Sequence, residues 1–141
     1  VNLAERTEDG FGQGKVVVTP FGMALAAATV AAGKTPTPHL IVGRQTTETG
    51  DHPAPDPAVL DGLREMMRLV VTNGTAKDIL GSGDVRGKTG EAEFPGGSHA
   101  WFAGYRGDLA FAALIVAGGG SETAVRMCRD MFKGLPPDYL A

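Results

Sequence analysis

Between Gly87 and Glu93 the chain reads Gly-Lys-Thr-Gly-Glu-Ala-Glu, so an ammonium, a hydroxyl and two carboxylates follow one another closely. On an edge strand, Lys88, Thr89 and Gly90 could bind a carboxylate while the bare backbone pairs with an extended peptide, and Gly90 would let that ligand approach closely. Gly87-Lys88-Thr89 also invites a phosphate-loop reading. That motif requires glycine where Ser82 stands, and it must open a helix, whereas Glu91 to Pro95 continues a strand and then breaks. Glu91 and Glu93 share one face of a strand, which reads as a solvated face; a glycosidase pair must flank the bond from opposite sides. No serine is followed three places later by lysine, and no Gly-x-Ser-x-Gly elbow occurs. These residues can hold a substrate, but the sequence shows no nucleophile to attack one.

Other chemistries are poorly provided for. Cys128 is the only cysteine, and His39, His52 and His99 show no ligand spacing, so neither a disulfide within the chain nor a metal site is expected, and no cofactor either. The triple glycine at 118–120 lacks dinucleotide spacing and fits a tight strand-to-helix turn, and Arg106-Gly107-Asp108 fits a hairpin turn. A net charge of −3 gives no footprint for a nucleic-acid backbone. The longest apolar run, Phe21 to Ala32, is shorter than the roughly 20 residues of a bilayer span.

The elements that would position Lys88 and its neighbours follow from caps and periodicity. With 141 residues the chain fits one domain, or part of one. Thr19-Pro20 and Gly33 bound a helix over 20–32, whose apolar residues on every side predict burial all round. Residues 34–56 are mostly surface loop, with a short extended piece at 39–42. Asp56-Pro57 opens a second helix that ends at Asn73-Gly74, and a helix or turn follows around 76–80. The period then changes, and 85–93, 99–105 and 109–117 read as an antiparallel three-strand meander. A last helix follows, with Ser121 as N-cap, Glu122 in its first turn and Val125, Cys128, Met131 and Phe132 on one face. The class is α+β: residues 1–84 mainly helix and loop, residues 85–141 the meander and final helix. The third strand is apolar on both faces, as a doubly covered central strand would be, yet the meander gives it one neighbour. A further strand from outside this sequence is expected on its other edge.

Taken together these residues resemble the C-terminal half of a penicillin-binding protein transpeptidase domain, most like the class B enzymes. Four blocks carry the resemblance in order: Gly12-Gln13-Gly14 with Thr19-Pro20 and Met23-Ala24; Gly87-Lys88-Thr89-Gly90; Ala92-Glu93; and His99-Ala100-Trp101-Phe102 with Gly104-Tyr105. It runs from about Gly12 to the last helix. The fold it implies is a five-stranded antiparallel sheet flanked by helices, whose first strands and first helix would precede this sequence. The family's Ser-x-x-Lys, which holds the acylated serine, is absent here. So is its Ser-x-Asn triad, since Asn2 lies too near Lys88 for class B spacing.

The resemblance implies a D,D-transpeptidase that cross-links peptidoglycan stem peptides through a serine acyl-enzyme and is acylated by β-lactams, in the service of cell shape or division. This chain alone would be inactive. Lys88 would supply positive potential and support proton movement, and Thr89 would bind the substrate carboxylate. The Glu91 N–H would be one arm of an oxyanion hole, although the family usually has threonine or serine at that position. Trp101, Phe102 and Gly104 would align the strand by packing. The implied partners are a stem peptide or lipid-linked precursor, β-lactams and the N-terminal remainder of the same domain; the implied location is the outer face of the cytoplasmic membrane, through an anchor outside this sequence. Two other readings are a class D β-lactamase or β-lactam sensor domain, which share a Lys-Thr-Gly strand and a Trp-Phe-x-Gly strand, and a noncatalytic interaction module.

Overall fold

The computed structural model describes residues 2–47, 49–136 and 138–139. Four α-helices, α1 (Leu3–Gly10), α2 (Pro20–Ala32), α3 (Pro57–Thr72) and α4 (Glu122–Gly134), accompany strands β1 (Arg86–Phe94), β2 (Gly97–Arg106) and β3 (Leu109–Ile115), with a 3-10 turn at Lys77–Ser82. The strands form one antiparallel sheet in the order β1-β2-β3. The α+β class and the meander are those read from the sequence.

Both cap-then-proline signals act as expected. The Thr19 hydroxyl accepts from the Gly22 N–H at 3.0 Å, and the Asp56 carboxylate accepts from the Ala58 N–H at 2.8 Å, each satisfying an amide that the first helical turn leaves without a partner. Gly33 ends α2 at φ 77°, in the left-handed region that glycine enters without penalty.

Both residues of each cross-strand pair face the same side of the sheet. Thr89, Phe102 and Ala113 thus share a face with Gly87, Gly104 and Phe111. This face carries the main core: Ala100, Phe102, Phe111 and Ala113 pack against Val125, Cys128 and Phe132 of α4, with Val71, Ile79 and Val85 beside them. Phe111 stands 5.4 Å from the ring centres of both Phe102 and Phe132, meeting Phe132 edge-on. The other face, which carries Lys88, Trp101, Ala103 and Tyr105, lies toward α2 and, beside Tyr105, toward Arg64 of α3.

Two glycines set how closely β1 and β2 approach. A Cβ at Gly87 would stand 2.7 Å from the Phe102 ring, and one at Gly104 would run into the Arg86 carbonyl oxygen. Glycine at 87 leaves room for the fully buried Phe102 ring against β1, and glycine at 104 lets the two backbones come together.

Several expectations need correction. The helix α1 was not anticipated; it starts with a capping box in which Asn2 Oδ1 accepts from the Glu5 N–H at 2.9 Å and Glu5 Oε2 accepts from the Asn2 N–H at 3.2 Å. It buries none of its residues, so there was no apolar period to read. The 20–32 helix is not covered on every side: Ala27 alone is buried and Phe21 is 56% exposed, because α2 packs on the sheet by one side. Residues 39–42 form no strand; the chain bends there and closes a turn in which the Arg44 N–H donates to the Ile41 carbonyl. An extended apolar piece needs a ladder partner, and none of the described strands lies beside it. Ser121 stands at the N-cap of α4 as expected, but its side chain accepts from no helix N–H; nearby, the Thr123 hydroxyl donates to the Gly120 carbonyl at 2.9 Å. Met131 is exposed at the margin of the α4 contact, while Ala124 is buried within it.

Candidate functional site

The residues from Lys88 to Glu91 lie on β1, an edge strand with β2 on one side only. Its position is fixed from α3. Arg68 Nη1 donates to the Val85 carbonyl at 2.9 Å, and Asp84 lies 3.2 Å from both Arg68 and Arg86. Arg86 Nη1 also reaches back to the Arg64 carbonyl at 3.4 Å, and Arg64 Nε donates to the Val30 carbonyl of α2 at 2.9 Å. This chain of guanidinium contacts joins α2, α3 and the start of β1. It places two cationic side chains, Arg86 and Lys88, on the same face of the strand. Beside them burial pushes the Tyr105 phenol up, with the neighbouring Arg86 acting in the opposite sense.

The open edge of β1 then presents a short series of main-chain groups. Lys88 Nζ turns to it and donates to the Thr89 carbonyl at 2.8 Å. Gln13, from the loop after α1, reaches the same edge farther along: its Nε2 donates to the Glu91 carbonyl at 2.9 Å, and its Oε1 accepts from the Glu93 N–H at 3.4 Å. The Glu91 carbonyl therefore faces away from β2. In an antiparallel ladder both main-chain groups of a residue point the same way, so the Glu91 N–H faces outward as well. Between a lysine-held carbonyl and a glutamine-held one stands an outward N–H, an arrangement that can stabilise negative charge developing on a carbonyl oxygen.

The side chains of Thr89 and Glu91 belong to the face opposite Lys88. Thr89 is buried, and its hydroxyl lies 2.6 Å from that of Thr75, on the connection after α3. The Glu91 carboxylate accepts from Ser98 Oγ at 2.7 Å, so it is held by β2 of its own hairpin. Gly90 faces Trp101, and a Cβ at Gly90 would press on the Trp101 Cβ at 3.2 Å. Trp101 is half-buried, Phe102 and Gly104 are buried, and all three lie on the strand next to the site.

The structure thus brings the backbone of Lys88, Thr89, Gly90 and Glu91 to one strand edge, and it adds Gln13 and Thr75, to which the sequence assigns no role on that strand. Gln13 could have been suspected from its two flanking glycines; Thr75 carries no such signal. A cavity of about 510 Å³ lies elsewhere, between Phe21 of α2 and the loop residues Pro38, Leu40, Ile41, Arg44, Gln45 and Thr46. Among the described residues no group of His, Cys, Asp and Glu is placed to hold a metal ion, and no helix is long and apolar enough to cross a membrane.

The family model for the penicillin binding protein transpeptidase domain matches residues 4–133. Searches of curated proteins and of solved structures returned no match.

Proposed function

We propose, from the premise that this chain belongs to the family of penicillin-binding protein transpeptidase domains, that it supplies the substrate-binding strand of a class B D,D-transpeptidase. The nucleophilic serine and its lysine come from a segment outside these residues. In the reaction the serine hydroxyl loses its proton to the lysine and attacks the penultimate D-Ala carbonyl of a stem peptide. The terminal D-Ala leaves as the amine, and the amino group of a second stem then displaces the serine from the acyl-enzyme. A β-lactam would acylate the same serine.

The observation that carries this reading is the outward Glu91 N–H, flanked on the open strand edge by the Lys88 ammonium. The N–H would hold the oxyanion of each tetrahedral intermediate. Lys88 would attract the donor's terminal carboxylate and raise the local positive potential, with Arg86 on the same face adding to it. Thr89, expected from the sequence to bind that carboxylate, has its side chain buried on the opposite face against the Thr75 hydroxyl, so the carboxylate contact falls to Lys88 and Thr89 would hold the strand. The Glu91 side chain, bound to Ser98, leaves the edge to its own N–H. Trp101, Phe102 and Gly104 would keep β1 flat and aligned. The working site would be the outer face of the cytoplasmic membrane, with peptidoglycan precursors as substrates.

The test is intact mass of the full-length protein after incubation with penicillin, under denaturing conditions. A covalent adduct on a serine outside residues 1–141 is expected, held for long periods. Rapid release of the adduct would point instead to a β-lactamase, and no adduct would overturn an acyl-enzyme function. Lys88→Ala should abolish labelling while the circular dichroism spectrum stays that of the parent, and normal labelling would remove Lys88 from the site.

A further inference from the structure

The Gly12-Gln13-Gly14 tripeptide has no part in the reaction above, yet it places a side chain on the edge where that reaction occurs. Gly12 and Gly14 both hold positive φ, at 82° and 68°, so the chain reverses sharply on either side of Gln13. A Cβ at Gly14 would stand 2.9 Å from Asp9 Oδ1. The turn is tied to the end of α1 by the Gln13 N–H, which donates to the Glu8 carbonyl at 2.9 Å, and by the Lys15 N–H, which donates to Asp9 Oδ1 at 3.2 Å. Gln13 is therefore held at β1 by a built support.

A primary amide offers one N–H donor and one carbonyl acceptor toward a strand, much as a peptide residue does. Gln13 uses both, on the Glu91 carbonyl and the Glu93 N–H. We infer that Gln13 is a specificity-determining residue that occupies, in the free protein, the edge groups that an acyl-donor peptide must pair with, so that donors bind by displacing it. This rests on the assignment of the β1 edge to donor binding. The donor's direction follows from charge. Its terminal carboxylate lies toward Lys88, so its preceding residues run toward Glu93, antiparallel to β1. The residue whose carbonyl meets the Glu91 N–H then offers its own N–H to the Glu91 carbonyl, and the residue two before it offers a carbonyl to the Glu93 N–H. Those are the two groups that Gln13 holds. A donor that ends before that second carbonyl competes with Gln13 for one group, and a longer donor competes for both.

The experiment uses the full-length protein and two donors, N-acetyl-D-Ala-D-Ala and Nα-acetyl-L-Lys-D-Ala-D-Ala, of which only the second carries the distal carbonyl. Gln13→Ala should lower KM for both with kcat little changed. The fall should be larger for the longer donor, by about fivefold, the factor that one neutral hydrogen bond contributes net of water. Gln13→Asn, too short to span both edge groups, should behave in the same sense. In the free protein the Glu93 amide should exchange with solvent faster in either variant than in the parent. Penicillin labelling of each variant checks that it folds. An unchanged or raised KM in variants that label normally overturns the role of Gln13 alone. A parent protein that takes no penicillin overturns the donor-binding assignment and this inference together.

Discussion

Gly104 has no room for a side chain, since the Arg86 carbonyl oxygen and the Gly87 Cα already occupy the space a Cβ would take. Gly104→Ala must therefore push β1 away from β2, and overpacking of this kind costs about 1–3 kcal/mol or more. Urea denaturation followed by circular dichroism should show that loss. Gly90→Ala should cost less, because only the Trp101 Cβ at 3.2 Å has to yield. Cys128 offers a second prediction. Burial pushes its thiol up from 9.0 to about 12. A thiol reagent at pH 8 should thus react with it only as fast as the protein unfolds. The folded state disfavours the thiolate relative to the unfolded chain, so the stability linked to this thiol is complete below pH 9 and declines from there toward pH 12. The slope is at most about 1.4 kcal/mol per pH unit. Cys128→Val should remove that component of the alkaline decline, and an identical profile in the variant would show that other groups cause it.

Helix boundaries were legible where chemistry marks them. Thr19-Pro20 and Asp56-Pro57 gave the first residues of α2 and α3, because an oxygen-bearing cap followed by proline satisfies the first turn in one conformation. Thr19→Ala should cost about 1 kcal/mol in thermal or urea unfolding, and an unchanged midpoint would mean that tertiary contacts alone fix the start of α2. The meander was legible too, since its strands alternate or stay apolar between glycine turns. α1 was not, although Asn2 and Glu5 spell its capping box, because a helix that buries nothing leaves no period. The run Leu40-Ile41-Val42 suggested a strand but found none beside it. Within the site, Lys88 through Glu91 could be read because they are adjacent in the chain. Gln13 meets Glu91 across 78 positions and Thr75 meets Thr89 across 14, and neither separation leaves a local pattern.

At the scale of the whole molecule the two edges of the described sheet differ. β1 has its outer groups taken in part by Gln13 and Lys88, whereas the outer side of β3 has no partner among the described residues. Its sequence, Leu-Ala-Phe-Ala-Ala-Leu-Ile, carries no charge that would discourage pairing. Residues 1–141 produced by themselves should therefore self-associate as concentration rises, and sedimentation showing one monomer throughout would contradict this. The same edge bears on how such a protein reaches its folded state. β2 already lies on the inner side of β3, and β1 lies beyond β2, so none of the described strands is left to close the sheet. A strand brought to this edge from elsewhere in a longer polypeptide would close a long loop, whose entropy is lost before its contacts form. In such a polypeptide folding should be slow and limited by that last pairing, and the apolar edge of β3 would be the surface most open to capture by a chaperone during the delay.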